Sequence, residues 1–403
     1  MPKKGTRGNI EKRGEDQYRI RIFIGRDATE KPLYHRETIC GTWTQANQRL
    51  TNILKELDDG AYIEPSKVTV GQYLDRWMRD YVAAKRPKTK DTYENMLKYI
   101  TPTLGHLQLQ KLRPYNIQAL YRELLEDGRI IRKQGKADNA TVLPPTLSPT
   151  TVNKIHRTLH AALEMAVQWD LIIRNPADRV KAPQPQKRRM QVWTNEELTR
   201  FLGYMSGHRL YALYALVTAT GLRRGEVAGL RWADVDTEKC TISIQQTVIV
   251  VKGKQEIQPM PKTDASEATM QISPVMVDIL HRHKLAQQQE RWGWQDQYED
   301  NGLVFCQDNG KPLRVDNLGK RDFPNLCKKA QVPVIRFHDL RHTYATYLFG
   351  QGYSAPDVQR RLRHSRASTT VDMYGHSLPE TQRQAAISTD AILPRNVPEK
   401  RTS

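Results

Sequence analysis

The sequence predicts a multidomain α+β protein with three parts. A small N-terminal β-sheet with one helix comes first, then a helical domain, then a mixed, mainly helical domain with a β-hairpin and small sheet. Three observations predict it. Period-two alternation is confined at the start to residues 18–39, helical spacing of apolar residues runs from Val68 to Ala166, and both patterns mix beyond residue 191. A chain of 403 residues has room for two or three domains at about 100–200 residues each.

Tyr18 to Ile24 alternate apolar and polar side chains, as a half-buried strand does. Gly25 to Pro32 reads as a turn, and Leu33 to Ile39 as a second strand. Thr44 is the expected cap of a helix over Gln45–Leu57, with Leu50, Ile53, Leu54 and Leu57 at helical spacing. Ala61 to Lys67 reads as a linker. Leu74, Trp77, Met78 and Tyr81 then form one apolar stripe, Thr89 to Ile100 a second, and Asn116 to Leu125 a third. Gly128 to Pro149 is polar and rich in Pro, Lys and Arg, which predicts an exposed loop. Helix resumes at Thr150 and ends before Asn175-Pro176. Lys181 to Val192, with Pro183, Pro185 and Lys187-Arg188-Arg189, reads as a basic tether. Thr194 and Glu197 form a capping-box pair. Helices are expected at 194–206, 208–220 and 224–230, strands at 240–251, 255–260 and 268–273, and further helices to about residue 390.

Charge narrows the partner. The 63 Lys and Arg against 44 Asp and Glu leave a net charge of +19, which fits a phosphate-rich partner. Residues 67–190 carry 23 basic and 11 acidic residues, so most of the excess lies in one segment. The first 26 residues carry 8 basic and 3 acidic residues. No stretch approaches the ~20 apolar residues of a membrane span, and Met1-Pro2-Lys3-Lys4-Gly5 has no apolar signal-peptide core. Cys40, Cys240, Cys306 and Cys327 lie far apart with no CxxC, so a reduced cytosolic chain is expected.

Four short stretches carry chemistry. In Thr220-Gly221-Leu222-Arg223-Arg224-Gly225-Glu226 an arginine at a helix start is followed three residues on by a carboxylate. In His338-Asp339-Leu340-Arg341-His342, His338 and Arg341 stand at i, i+3 and leave one helix face. Leu362-Arg363-His364-Ser365 follows, and Tyr374 lies ten residues beyond His364. Singly, each has a plainer reading: a surface ion pair, a core histidine, one tyrosine among 17. Their order and spacing together point elsewhere. His281-Arg282-His283, without a cysteine or carboxylate cluster beside it, reads as a surface helix rather than a metal site. There is no GxxxxGK[ST] loop for a nucleotide-driven step.

TGLRRGE at 220–226, FHDLRHTYAT at 337–346 and LRHSRASTTVDMY at 362–374 resemble the three motifs of the tyrosine recombinases, in particular the integrases of phages and conjugative transposons. The resemblance spans nearly the whole chain. It implies that Arg223 and Arg341 clamp the nonbridging oxygens of a phosphodiester and that Glu226 orients Arg223. His338 takes a proton and His364 donates to the phosphate. Tyr374 attacks to give a 3′-phosphotyrosine. Lys262, in Pro261-Lys262-Thr263, matches the hairpin lysine that protonates the leaving 5′ oxygen, with Lys252 and Lys254 in the same region. No metal and no cofactor is needed, because cationic side chains neutralise the charge. Where the family has glycine before its third-motif histidine, this chain has Arg363.

The resemblance also implies an arm-type DNA-binding domain at 1–64 with a three-stranded sheet packed on a helix, a helical core-binding domain at 67–180 and a catalytic domain at 191–390. Arg19 and Arg21 would meet DNA in the first, Lys88 and Lys90 in the second, and Lys187, Arg188 and Arg189 in the tether. Its implied partners are core and arm attachment sites in duplex DNA and a homotetramer exchanging strands through a Holliday junction. A directionality factor or DNA-bending protein would join them, in the cytoplasm and nucleoid of a bacterial host. The tail beyond Tyr374, including Leu378 to Ile392, reads either as a segment that docks on a neighbouring protomer or as a frayed terminus. The rival readings are a DNA-binding regulator without turnover and a DNA-relaxing topoisomerase of the same chemistry.

Overall fold

The computed structural model describes residues 8–26, 29–60, 62–127, 146–185, 190–259 and 269–363. The chain divides into two compact units, Met1–Lys187 and Arg188–Ser403. Among the described residues no helix is long and apolar enough to cross a membrane.

The first unit opens with strands β1 (Gly8–Gly14), β2 (Gln17–Arg26) and β3 (Pro32–Cys40), an antiparallel sheet in the order β1-β2-β3. The apolar pattern marks β2 and β3. It misses β1, whose only large apolar side chain is Ile10 among Glu11, Lys12 and Arg13, the polar dress of an edge strand. Ile20 and Ile22 point to one face of β2 and pack with Ile53 of helix α1 (Trp43–Asp58). The cap of α1 is Thr42 rather than the expected Thr44. The chain turns at Gly41, where φ is 147°, and Thr42 and Gln45 bond reciprocally as a capping box at 3.3 and 2.9 Å.

Helices α2 (Val70–Asp80), α3 (Pro87–Leu104), α4 (Pro114–Asp127) and α5 (Pro149–Gln168) share a separate core. Trp77, Tyr73, Tyr121, Ile155 and Leu159 lie at its centre. The expected linker is tied down at its end: the Gln110 side chain accepts from the Ser66 N–H and donates to the Glu64 carbonyl. Most of the expected 128–149 loop falls outside the described residues; Ser148 at its end caps α5.

The second unit contains α6 (Asn195–Met205), α7 (Tyr211–Thr220) and α8 (Arg224–Gly229). These are followed by β4 (Val235–Asp236), β5 (Thr241–Ser243), β6 (Gln246–Val251), β7 (Lys254–Pro259) and β8 (Thr269–Gln271). Helices α9 (Pro274–Trp294), α10 (Val315–Asn317), α11 (Phe323–Lys329), α12 (Asp339–Gly350) and α13 (Ala355–Leu362) complete it. Thr194 and Glu197 form the expected capping box on α6. The core is rich in aromatics: Trp193, Phe201, Tyr214, Phe323 and Phe337 meet in edge and stacked pairs. Helix α7 is buried nearly all round, as its unbroken apolar run requires.

The strand expected over 240–251 is two strands in different sheets: β5 lies between β4 and β8, and among the described residues β6 pairs only with β7. Glycine on α8 explains the split. A Cβ on Gly225 would lie 2.5 Å from Thr247 Oγ1 and 2.6 Å from the Val248 carbonyl, so β6 is drawn against α8 and away from β5. Helices expected beyond residue 363 fall outside the described residues.

Candidate active site

Helix α7 ends on Gly221, in the left-handed conformation at φ 67°. A Cβ there would sit 2.8 Å from both Leu362 Cδ2 and Tyr344 Cδ1, so glycine is required by backbone and by space. Two residues on, Arg223 caps α8 and Glu226 stands in its first turn. The placement favours a carboxylate, because the helix N-terminus carries partial positive charge. Glu226 Oε1 accepts from Arg223 Nη1 at 2.8 Å, and Oε2 accepts from the Arg223 backbone N–H at 2.9 Å. The Glu226 side chain is 4% exposed and that of Arg223 42%, so the pair has a buried anchor and an open cationic end.

Arg341, in the first turn of α12, is 2% exposed. Its Nη1 donates to the Gly221 carbonyl at 2.6 Å and its Nη2 to the Leu362 carbonyl. These carbonyls lie at the C-terminal ends of α7 and α13, where helix dipoles concentrate negative partial charge and carbonyls lack intrahelical donors. Both needs are met by one guanidinium. Arg341 thus ties together the segments that carry Arg223 and Arg363.

His338 caps α12 beside it. Its ring keeps a face in solvent, yet its pKa lies below the ordinary histidine value. Desolvation is the largest cause, followed by the charges of Arg341 and Arg223. A neutral imidazole is the form that accepts a proton. His342 stacks edge-on to His338 with ring centroids 5.1 Å apart, and burial with His338 beside it lowers its pKa to about 4.

Arg363 follows α13 in the left-handed conformation, φ 53° and ψ 49°. Its Nη2 donates to Glu226 Oε2 at 2.6 Å. Burial works to raise the Glu226 pKa, but the charges of Arg363 and Arg223 outweigh it and hold the carboxyl below its ordinary value. This pairing, and the two carbonyls that hold Arg341, are absent from any local sequence pattern. The hint was Arg363 itself at a glycine position.

The structure therefore gathers Arg223, Glu226 and Arg341, and its charges reach His338. Lys262, His364 and Tyr374 lie outside the described residues, as do Lys187, Arg188 and Arg189. Lys254 starts the exposed hairpin strand β7, and Lys252 sits in its turn at φ 49°. In the first unit, Arg19 and Arg21 project from the solvent face of β2, opposite the buried Ile20 and Ile22. Arg21 faces Arg36 across the sheet and lies 3.9 Å over the Tyr34 ring. Lys88 is exposed in the first turn of α3, which has no acidic residue, and pairs with Asp91 at 3.1 Å; Lys90 is half-buried. His283, expected on a surface helix, is half-buried on α9 and bonds to the Val304 carbonyl at 2.8 Å, with Phe305 beside it. Among the described residues the group able to gather about a metal is His160, Glu164 and Asp178; it shares no residue with this site.

Residues 191–381 match the phage integrase family, and residues 69–125 match the N-terminal SAM-like domain of phage integrases. The chain belongs to the tyrosine recombinases. This recombinase is 28% identical over 397 residues to the tyrosine recombinase XerC-like protein of Caldanaerobacter subterraneus subsp. tengcongensis, covering 94% of this chain and 96% of that one. It is 24% identical over 388 residues to the ICEBs1 integrase of Bacillus subtilis, covering 96% and 100%. Among solved structures, the Tn1549 transposon integrase in complex with transposon right end DNA matches with a TM-score of 0.63 at 21% identity. That match covers 80% of this chain and 99% of that one, and the likeness shows the fold. The recombinase is a site-specific enzyme that cleaves and rejoins DNA strands.

Proposed function

We propose that this recombinase cuts DNA through a 3′-phosphotyrosine formed by Tyr374 and integrates, and also excises, a phage or conjugative element. The observation that carries the reading is that Arg223, held by the buried Glu226, and Arg341, held by the Gly221 and Leu362 carbonyls, come from separate motifs and both act by charge on His338, lowering its pKa. Attack on a phosphodiester builds charge on the nonbridging oxygens, and Arg223 with Arg341 meets that charge as it forms. His338 accepts the Tyr374 proton, Lys262 protonates the leaving 5′ oxygen, and His364 donates to the phosphate. The bond energy is kept in the phosphotyrosine ester and returned on religation, so the step needs no ATP, and the cationic side chains meet the charge in place of a metal ion.

Residues 191–390 form the catalytic domain in this reading, and residues 67–180 bind the core site. Lys88, which pairs with Asp91, and Lys90 stand at the start of α3 and support this, because a helix N-terminus with no acidic residue in its first turn suits a phosphate. Residues 1–64 bind arm sites through Arg19 and Arg21. The side-by-side Arg21 and Arg36 support that role, since like charges opposed across a sheet are unfavourable without an anion. Four protomers exchange strands through a Holliday junction, with a directionality factor or DNA-bending protein setting the outcome, in the bacterial cytoplasm.

A nicked suicide duplex bearing the element's own crossover site tests the chemistry. The wild-type chain is expected to form a covalent adduct, and Tyr374→Phe to bind the duplex without forming one. Adduct in Tyr374→Phe would move the nucleophile to another tyrosine; Tyr353, 44% exposed before α13, is the nearest in sequence.

A further inference from the structure

Glu226 is shared between two arginines, and the sharing has a direction. Oε2 is taken by Arg363 Nη2 at 2.6 Å and by the Arg223 backbone N–H at 2.9 Å. That leaves Oε1 for a single Nη of the Arg223 side chain, at 2.8 Å. Arg223 Nη2 donates instead to the Arg363 carbonyl, at 3.5 Å. An isolated carboxylate and guanidinium prefer the two-pronged pairing that uses both oxygens. Here Arg363 blocks it.

The arrangement is held against local cost. Arginine at φ 53° occupies a backbone region that favours glycine, and its side chain is only 10% exposed, with Nε buried and without a bond among the described residues. A guanidinium placed there for solubility would turn to water. This one is turned inward onto Glu226.

We propose that Arg363 is a positioning residue for strand cleavage: by holding Oε2 of Glu226 it limits Arg223 to one bond with that carboxylate, and its own carbonyl holds the second Nη group by a long bond that can be exchanged for the scissile phosphate. This inference rests on the reading of Arg223 as a phosphate clamp. Without Arg363, Glu226 rotates to take both Nη groups of Arg223 and draws that guanidinium back from the DNA.

Single-turnover cleavage of the nicked crossover-site duplex at saturating protein, with the apparent Kd and the thermal midpoint measured alongside, tests it in the full chain. Arg363→Gly and Arg363→Gln are expected to slow cleavage by about 10–100-fold, the order seen when a reacting group is misplaced. Kd and the thermal midpoint should change little. Arg363→Lys, which keeps a cation on Oε2, should restore most of the rate. In a Glu226→Gln background, Arg363→Gly should slow cleavage by no more than about twofold further, because the pairing it guards has gone. Cleavage by Arg363→Gly at the wild-type rate overturns the proposal, as does Arg363→Lys no faster than Arg363→Gln, or a full extra loss in the Glu226→Gln background. The comparison of Lys with Gln decides the matter even where the glycine variant fails to fold. A wild-type chain that forms no adduct defeats the phosphate-clamp reading itself; equal adduct formation by wild type and Arg363→Gly defeats only the role of Arg363.

Discussion

Arg341 and Arg223 carry the same charge and are held in opposite ways. Arg341 is buried and fastened to carbonyls from two helix ends, whereas Arg223 is half open and fastened to a carboxylate. The first geometry is the more rigid, and the second is the more open to ligand. Arg223→Ala and Arg341→Ala are each expected to cost about 3–4 kcal/mol of transition-state stabilisation, the scale of losing an oxyanion donor. Cleavage rate at saturating protein should therefore fall while gel-shift affinity changes little; loss of affinity with normal cleavage would reassign them as DNA-positioning charges. His338 supplies a pH test. Its pKa is lowered by desolvation and by Arg341 and Arg223, so it stays neutral to pH values below the ordinary 6.5. As the general base it is active when neutral, so the acid limb of the cleavage rate should lie below pH 6.5. Asp339 works to raise it and Arg336 to lower it further, and the His342 ring stands 5.1 Å away. An acid limb at or above 6.5, measured under single turnover between pH 5 and 8, would remove His338 from that role.

Gly221 shows how a helix end serves the site. It stops α7 in a conformation open to glycine, lets Leu362 and Tyr344 close within reach, and offers its carbonyl to Arg341. Gly221→Ala is expected to destabilise the second unit by about 1–3 kcal/mol, from the left-handed backbone and the overpacking together. Denaturant unfolding measures that loss, and unchanged stability would mean that the contacts relax freely. Cleavage should fall further than stability explains, because Arg341 loses the placement of one acceptor. The β6–β7 hairpin is set at the same scale: the Lys252-Gly253 turn, at φ 49° and 79°, closes the two strands, and Gly225 seats β6 on α8.

At the scale of the molecule, the N-terminal sheet and α1 have their own small core of Ile20, Ile22 and Ile53, separate from the core built on Trp77, Tyr121 and Leu159. Deleting residues 1–64 should therefore leave the helical domain folded. It should also leave cleavage of a core-site suicide duplex largely intact, since every proposed catalytic residue lies beyond 220. Recombination between full attachment sites in a plasmid assay should be lost, and footprinting should show loss of distal protection with core protection kept. Full-site recombination at the intact rate with an unchanged footprint would overturn arm binding.

Sequence by itself determined the division into sheet, helical and mixed parts, most helix and strand positions, and the family through its three motifs. These are short-range properties: apolar period, caps, and spacing within one turn of helix put Arg223 near Glu226 and His338 near Arg341 whatever the rest of the chain does. Apolar period alone missed what a pairing or packing neighbour decides. The polar edge strand β1 exists because β2 offers it a ladder, and the run over 240–251 divides because α8 draws half of it away. Tertiary structure alone decided which groups meet in the site. Arg341 finds the Gly221 carbonyl 120 residues away, and Arg363 finds Glu226 across 137. Those pairings follow from helix packing and burial, which bring charges into a space with little water, where each must have a partner.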